Sequence, residues 1–174
     1  EPSIVATPMS QDAPSRPAVA STSRAHIAIV ASLYNETYVN ALLEAARREL
    51  KALLPQSQVL TYRVPGAFEI PVCTEFVLKH TEPDAVIALG VIVRGETEHG
   101  DLVGASVTDA LLRIAVAHVV PIVHEVLLLD NLEQARERCM GERINRGTEA
   151  ARVAVNMVEL FERLRVTFPV SPTV

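Results

Sequence analysis

The stretch DAVIALGVIV, residues 84–93, decides the fold class of this chain. It is apolar at successive positions, so both sides of an extended segment would be buried. Short runs rich in apolar and β-branched residues predict three further strands over 26–32, 57–64 and 121–129. Strands that are buried on both sides are typical of a parallel sheet with helices packed on each side.

Helical periodicity marks the segments between and after these strands. Apolar residues recur every three or four positions in segments that predict helices over 37–54, 71–80, 101–119 and 147–165. A shorter helix is predicted over 130–139. Strands that alternate with helices indicate a parallel α/β sheet with right-handed crossovers.

Particular residues are expected at the helix starts. Asp101 is placed to cap the helix 101–119, and Asp130 and Glu133 have the spacing of a capping box. Pro71 suits the first turn of its helix, because its missing N–H costs little there.

Composition limits the classes of function. A chain of 174 residues suits one domain, and its net charge of −5 argues against nucleic acid as a partner. No apolar run approaches the roughly 18 to 20 residues that span a bilayer, and no signal peptide is visible. The two cysteines, Cys73 and Cys139, are too few for a disulfide framework and form no zinc motif. We therefore expect idle thiols in a cytoplasmic protein without a metal site.

The chain divides unequally along its length. Residues 1–24 are rich in Pro, Ser and Ala and have no apolar period, which predicts a flexible N-terminal arm. Residues 25–167 are predicted to form a single domain, and residues 168–174 a flexible tail.

Ligands of open parallel sheets bind beyond the carboxyl ends of the strands. Four loops are selected by this rule: SLYNET, VPGAFE, VRGETEHGD and LLLDN. In VPGAFE, Pro65 and Gly66 make a turn into a helix and hold Phe68 and Glu69 at the mouth of a cleft. Two interpretations stay open at this point. Glu69 binds a ligand, or it complements the helix dipole while Phe68 fills the core.

The third loop contains more chemistry. Arg94, Thr97 and His99 lie within one turn before a helix, and Gly95 allows a ligand to approach the backbone. A helix N-terminus favours an anion, and histidine exchanges protons near neutral pH. Glu96 and Glu98 oppose an anion and are expected to point to solvent. The remaining histidines lack this setting and are interpreted as structural or surface residues, with His124 open because it lies in the fourth strand.

Four motifs in this order resemble the lumazine synthase family: VPGAFEIP, ALGVIVRGETEH, DNLEQARER, and NRG before the last helix. The resemblance covers residues 25–165. It implies a flavodoxin-like three-layer α/β/α sandwich with a four-stranded parallel sheet in the order 2-1-3-4. It also implies a transferase of riboflavin biosynthesis that uses no metal or organic cofactor. That enzyme condenses 5-amino-6-(ribitylamino)uracil with 3,4-dihydroxy-2-butanone 4-phosphate to 6,7-dimethyl-8-ribityllumazine.

The resemblance also assigns residue roles. His99 would transfer protons. Gly95, Glu96 and Thr97 would bind phosphate, with Arg138 reaching it from a neighbouring subunit. Arg146 replaces a lysine that is usual near the ribityl chain. The pyrimidine and ribityl site would comprise Tyr34, Asn35, Ala67, Phe68, Glu69, Val91, Ile92, Val93, His124 and Arg146.

Several positions depart from the family pattern. Gly100 stands where an aromatic residue usually follows the catalytic histidine, Glu98 adds negative charge, and Ala105-Ser106 replaces a usual Asn-Glu pair. These departures keep an alternative open, a weakly active or non-catalytic member that binds lumazine or flavin or forms a shell. The resemblance implies a homopentamer. The link before the last predicted helix, CMGERINRG, carries no insertion, and by the same resemblance this permits pentamers to assemble into an icosahedral shell.

Overall fold

The computed structural model describes residues 15–17 and 21–169. Four strands alternate with five helices, and one short 3₁₀ turn, Ala67–Glu69, precedes the second helix. The strands are β1 His26–Ser32, β2 Gln58–Val64, β3 Ala85–Val93 and β4 Ile122–Leu129. The helices are α1 Glu36–Leu53, α2 Ile70–Thr81, α3 His99–His118, α4 Leu132–Met140 and α5 Arg146–Thr167.

All strand pairs of the sheet are parallel, and the strand order is β2-β1-β3-β4. Ile27 of β1 pairs with Val59 of β2 on one side and with Ala85 of β3 on the other. Val86 of β3 pairs with Ile122 of β4. The predicted fold class, strand order and strand positions are confirmed, with strand ends within one residue of the prediction.

Two apolar layers enclose the sheet. Ile29, Leu42 and Val155 belong to the layer that α1, α4 and α5 form against one face. Val30 and Val107 belong to the opposite layer, beneath α2 and α3. Burying an aliphatic side chain of this size contributes roughly 1.5 to 3 kcal/mol to the free energy of unfolding. The two layers therefore stabilise the sheet, and the loops of the site start from the ends of its strands.

Two predicted helix caps are wrong. Helix α3 begins at His99, with Glu98 as its N-cap, so Asp101 lies inside the first turn and does not cap it. Helix α4 is capped by Asn131, whose side chain accepts a hydrogen bond from the backbone N–H of Gln134. The carboxylates of Asp101 and Asp130 bind the guanidinium of Arg94 instead, and this charged partner outcompetes a backbone N–H.

Most of the predicted arm 1–24, and the tail from residue 170, lie outside the described residues. Within the described part, Arg16 forms an ion pair with Glu49 at 2.9 Å, and the backbone N–H of Ser21 donates to the carbonyl of Leu53 at 2.7 Å. The division into an arm, a domain and a tail stays a prediction. Across the described ranges, no helix has the length and apolarity to cross a bilayer.

Candidate active site

A groove of about 440 Å³ opens at the carboxyl edge of the sheet, where the loops after β1, β2 and β3 meet. Nine of the residues predicted for a substrate or catalytic role line it. The lining consists of Tyr34, Asn35, Gly66, Ala67, Phe68, Glu69, Val91, Ile92, Val93, His99, Gly100 and Val103.

The loop after β1 is fixed by backbone geometry. Asn35 adopts the left-handed conformation with φ of 56°, which asparagine tolerates better than most residues. Its side-chain amide donates to the carbonyl oxygen of Val91 at 2.7 Å. The backbone N–H of Tyr34 donates to the carbonyl of Pro65 at 3.1 Å, yet the Tyr34 side chain is 73% exposed. The ring is therefore held on a fixed backbone with most of its surface free.

Glu69 has both a local role and a free oxygen. Its Oε2 atom accepts a hydrogen bond from the backbone N–H of Gly66 at 2.9 Å, which closes the turn before α2. No described residue donates a hydrogen bond to its other oxygen, Oε1, so that atom can accept one from a ligand. Phe68 is 63% exposed and does not fill the core, so that structural interpretation of Phe68 is wrong.

His99 is the first residue of α3 and is exposed at the groove wall. It lies beside Phe68 and Glu69, and the groove continues from there along α3 past Leu102 and Ser106. No described residue forms a hydrogen bond with its imidazole. Both ring nitrogens are therefore available for proton exchange with a ligand.

The loop 94–98 joins β3 to α3 and is exposed throughout, including Glu96 and Glu98 as expected. A methyl group added at Gly95 would have no heavy atom within 4 Å. The space beside Gly95 is therefore open to a ligand, and the N-terminus of α3 lies next to it. Free backbone N–H groups at such a terminus favour an anion.

Arg94 connects this loop to two acidic side chains. Its Nε and Nη2 atoms donate to Asp101 at 3.0 and 2.8 Å, and its Nη1 atom donates to Asp130. The Arg94 guanidinium holds the pKa of Asp101 below its usual range, and hydrogen bonds from Gln134 and Arg94 do the same for the pKa of Asp130.

Besides Gly95, Glu96 and Thr97 of the exposed loop, three predicted site residues do not line the groove. His124 is on β4 and faces α3, where its Nε2 atom is 2.9 Å from the hydroxyl of Thr108. Burial lowers the pKa of its imidazole. Arg138 lies on α4, and Arg146 begins α5 and pairs with Glu149 at 2.8 Å. The Nε atoms of both arginines are buried and have no partner among the described residues.

A partly buried carboxyl group, that of Glu125, interacts electrostatically with both of these arginines. Glu125 pairs in register with Leu89 of β3, whose side chain lies in the layer covered by α1, α4 and α5. Burial raises the pKa of Glu125 to about 7, although the charges of Arg146 and Arg138 act to lower it. The charge of Glu149 raises it further.

Comparison with known proteins agrees with this geometry. The family profile described as 6,7-dimethyl-8-ribityllumazine synthase matches residues 24–162. The chain belongs to the 6,7-dimethyl-8-ribityllumazine synthase family. A relative with that name from Polaromonas sp. is 40% identical over 139 residues, which cover 79% of this chain and 88% of the relative. One from Acidovorax sp. is 41% identical over 140 residues, covering 80% and 88% of the two chains.

A third lumazine synthase, from Chlorobium phaeobacteroides, is 38% identical over 144 residues, with 82% of this chain and 93% of the relative covered. Among solved structures, a GDP-L-fucose synthetase from Naegleria fowleri bound to NADP matches with a TM-score of 0.39 and 14% identity, over 91% of this chain and 49% of that one. That similarity is too low to carry a conclusion.

Sequence reasoning missed two features of this lumazine synthase fold. It gave no role to the contacts of Arg94 with Asp101 and Asp130, although Asp130 follows β4 at the same edge of the sheet. The rule that parallel strands end together could have placed Arg94 and Asp130 side by side. It also missed Glu125, which carries no local signal within an apolar strand.

Proposed function

We propose that this protein condenses 5-amino-6-(ribitylamino)uracil with 3,4-dihydroxy-2-butanone 4-phosphate to form 6,7-dimethyl-8-ribityllumazine. The observation that supports this activity best is the common groove of Tyr34, Glu69 and His99 in a chain of the lumazine synthase family. The groove contains the exposed rings of Tyr34 and Phe68, one carboxylate oxygen and one imidazole that are all open to a ligand.

The pyrimidine is proposed to bind against Tyr34, whose exposed ring provides a flat apolar surface for stacking. Ile92 and Val93 also line the groove, and their backbone groups are proposed to face the pyrimidine. The carbonyl of Val91 already accepts a hydrogen bond from Asn35, so Val91 and Asn35 shape the floor together. Ala67 and Phe68 border the ribityl chain, and the free oxygen of Glu69 accepts a hydrogen bond from one of its hydroxyls.

His99 is proposed to move protons during the condensation. Two carbon–nitrogen bonds form in this reaction, and phosphate and water leave, so several oxygen and nitrogen atoms gain or lose protons. An imidazole at the groove wall can give and take these protons near neutral pH. The phosphate is proposed to bind the amides of Gly95, Glu96 and Thr97 and the Thr97 hydroxyl, beside the N-terminus of α3.

The site is proposed to be completed by a neighbouring copy of the chain. Arg138, Arg146 and His124 do not line the groove of their own chain. The guanidiniums of Arg138 and Arg146 each carry a buried nitrogen without a partner among the described residues. We therefore propose that Arg138 reaches the phosphate, and Arg146 and His124 the pyrimidine and ribityl part, of the adjacent subunit.

An exposed apolar surface supports such an assembly. Its residues lie along α2 and α3 and at the turn before α2, and each is more than 60% exposed: Phe68, Val72, Phe76, Leu102, Leu112 and Val116. A surface of this kind is a liability on a monomer and is typical of a protein interface. We propose a homopentamer in which this surface is buried, and a shell of pentamers as a further assembly that the short α4–α5 link permits. A cytoplasmic location is part of the same proposal.

A direct assay tests the activity. Purified protein is mixed with both substrates, and lumazine fluorescence is followed against a protein-free control. Product formation well above the control is expected. Tight binding of lumazine without turnover would favour the non-catalytic alternative. Sedimentation at micromolar protein tests the assembly, because a stable monomer would contradict the shared site and a lone pentamer would contradict the shell.

A further inference from the structure

Arg94 connects three segments of the chain at the carboxyl edge of the sheet. Its backbone N–H donates to the carbonyl of Leu129 at 2.9 Å, which extends the pairing of β3 and β4 by one residue. Its guanidinium binds Asp101 in the first turn of α3 and Asp130 in the loop after β4. The Arg94 side chain therefore connects the start of the β3–α3 loop to α3, which follows this loop, and to the loop between β4 and α4.

Asp130 is itself held from a second side. The side-chain amide of Gln134 donates to Asp130 Oδ2 at 3.0 Å, and the backbone N–H of Asp130 donates to Gln134 Oε1 at 3.0 Å. Asp130 is thus anchored to the first turn of α4. The contacts of Arg94 with Asp101, Asp130 and, through Asp130, Gln134 form a continuous chain of hydrogen bonds, which we call the Arg94 clamp.

The residues between the ends of this loop have no such anchors. Within the described chain, no hydrogen bond holds Gly95, Glu96 or Thr97, and the first bond beyond them runs from the N–H of Leu102 to the carbonyl of Glu98. The position of these three residues therefore depends on the two ends of the loop. Arg94 fixes one end directly, and it fixes the other through Asp101.

We propose that Arg94 is a positioning residue, which places the backbone of Gly95–Thr97 for phosphate binding without touching the phosphate itself. This inference rests on the proposed function, because it assigns the loop to the phosphate of the substrate. The guanidinium supports a positioning role because its Nε, Nη1 and Nη2 atoms already donate to carboxylates. Arginine suits this task because its planar fork binds carboxylates with two parallel N–H groups.

The clamp predicts an effect that opposes simple electrostatics. Asp101 and Asp130 are negative charges close to the proposed anion site, so their removal should improve anion binding if charge alone mattered. If Arg94 contacted the phosphate directly, removal of the two carboxylates should also improve phosphate binding, because the guanidinium would then be free to bind the phosphate. If the clamp positions the loop, their removal should weaken phosphate binding.

The test compares Asp101→Ala and Asp130→Ala with Glu98→Ala. Glu98 is a matched control, because it removes the same charge next to the same loop and its carboxylate does not cap α3. We expect KM for the phosphorylated substrate to rise about tenfold in both aspartate variants, within the hundredfold that a misplacement of about 1 Å can cost. KM for the pyrimidine should change less than twofold, and Glu98→Ala should bind the phosphorylated substrate as well as or better than the unmodified chain.

Two further measurements separate positioning from direct contact and from loss of folding. The double variant Arg94→Ala/Asp101→Ala should be no weaker than Arg94→Ala alone, because both break one clamp. Arg94→Lys should recover part of the loss. Inorganic phosphate binding, measured by calorimetry on the same proteins, reports on the loop even if no lumazine forms, so failure of the proposed activity is distinguishable from failure of the clamp. Unchanged or tighter phosphate binding by both aspartate variants would overturn the proposal.

Discussion

The side-chain amide of Asn35 donates to the carbonyl oxygen of Val91 at 2.7 Å and bridges the gap between β1 and β3. The pairing of these strands ends at Ala31 and Leu89, and beyond that point the chain leaves β1 towards α1. β1 is connected through α1 to β2 on one side, whereas its neighbour on the other side is β3. The chain therefore leads from β1 to one side of the sheet and from β3 to the other side, where β4 lies. The groove opens between β1 and β3, at the point where these connections diverge, which is the usual ligand position in sheets of this kind.

Two substitutions at Asn35 should separate its hydrogen bond from its backbone conformation. Asn35→Gly loses the bond to Val91 but accepts a φ of 56° freely, whereas Asn35→Ala loses the bond and is strained there as well. We expect the glycine variant to lose about 1 kcal/mol of unfolding free energy, and the alanine variant roughly 1 to 2 kcal/mol more. Chemical denaturation measures both. Equal stability of the two variants would contradict the strain argument.

His99→Ala should lower kcat. Loss of general acid–base assistance typically costs about 10²- to 10⁴-fold, and we expect the lower end because the condensation is plausible without a catalyst. His118→Ala is the matched control, since His118 lies at the far end of α3 and pairs with Glu75 at 2.9 Å. A fully active His99→Ala beside an impaired His118→Ala would refute the assignment.

Arg138→Ala should raise KM for the phosphorylated substrate more than KM for the pyrimidine. Hydrogen bonds to a charged group contribute roughly 1.5 to 3 kcal/mol, which corresponds to about a tenfold to a hundredfold change in binding. Arg136, on the same helix and exposed, provides a control for loss of one positive charge. Steady-state kinetics with each substrate varied in turn measures the two KM values. An equal rise in both would indicate that Arg138 has only a structural role.

Stability should fall as pH rises through the titration of Glu125. Burial raises its pKa from 4.5 to about 7 in the folded chain, so between these values the folded chain holds a proton that the unfolded chain has released. The unfolded state then binds fewer protons, and the free energy of unfolding decreases with pH in this window.

The size of this effect is on the order of 3 kcal/mol at pH 8, at about 1.4 kcal/mol for each unit of pKa. Glu125→Gln removes the ionisable group, so its stability should exceed that of the unmodified chain at pH 8 and nearly equal it at pH 4.5. Thermal unfolding at the two pH values measures the difference, with the exposed Glu133→Gln as a control. Parallel pH profiles for Glu125→Gln and the unmodified chain would contradict the shifted pKa.

The sequence was sufficient for the parts of the fold that depend on long patterns. The apolar strands predicted the sheet, because neighbouring residues such as Ile29 and Val30 are buried on its two opposite faces. The strand-end rule predicted the groove, since Tyr34, Glu69 and His99 each follow a different strand. Both predictions rest on many residues at once, so a single residue that departs from the pattern does not change the predicted sheet or the predicted groove.

The failures concern single polar contacts between distant segments. The sequence identified Asp101 and Asp130 as caps because each is close in the chain to a helix start, but the charged side chain of Arg94 binds them both. Phe68 is apolar and was equally compatible with the core, but the 3₁₀ turn directs it outwards. The partner of a polar side chain is decided by tertiary proximity, which local spacing does not encode.

The strand order also has a consequence for synthesis of the chain. Every residue of the groove lies between Tyr34 and Val103, so the ribosome completes this set before it adds β4. Until β4 emerges, one edge of the apolar strand β3 is unpaired, and unpaired edges of this kind associate with other chains. The last third of the sequence, which carries Arg138 and Arg146, therefore also covers this apolar edge and makes β4, with the polar residues His124 and Glu125, the edge strand of the sheet.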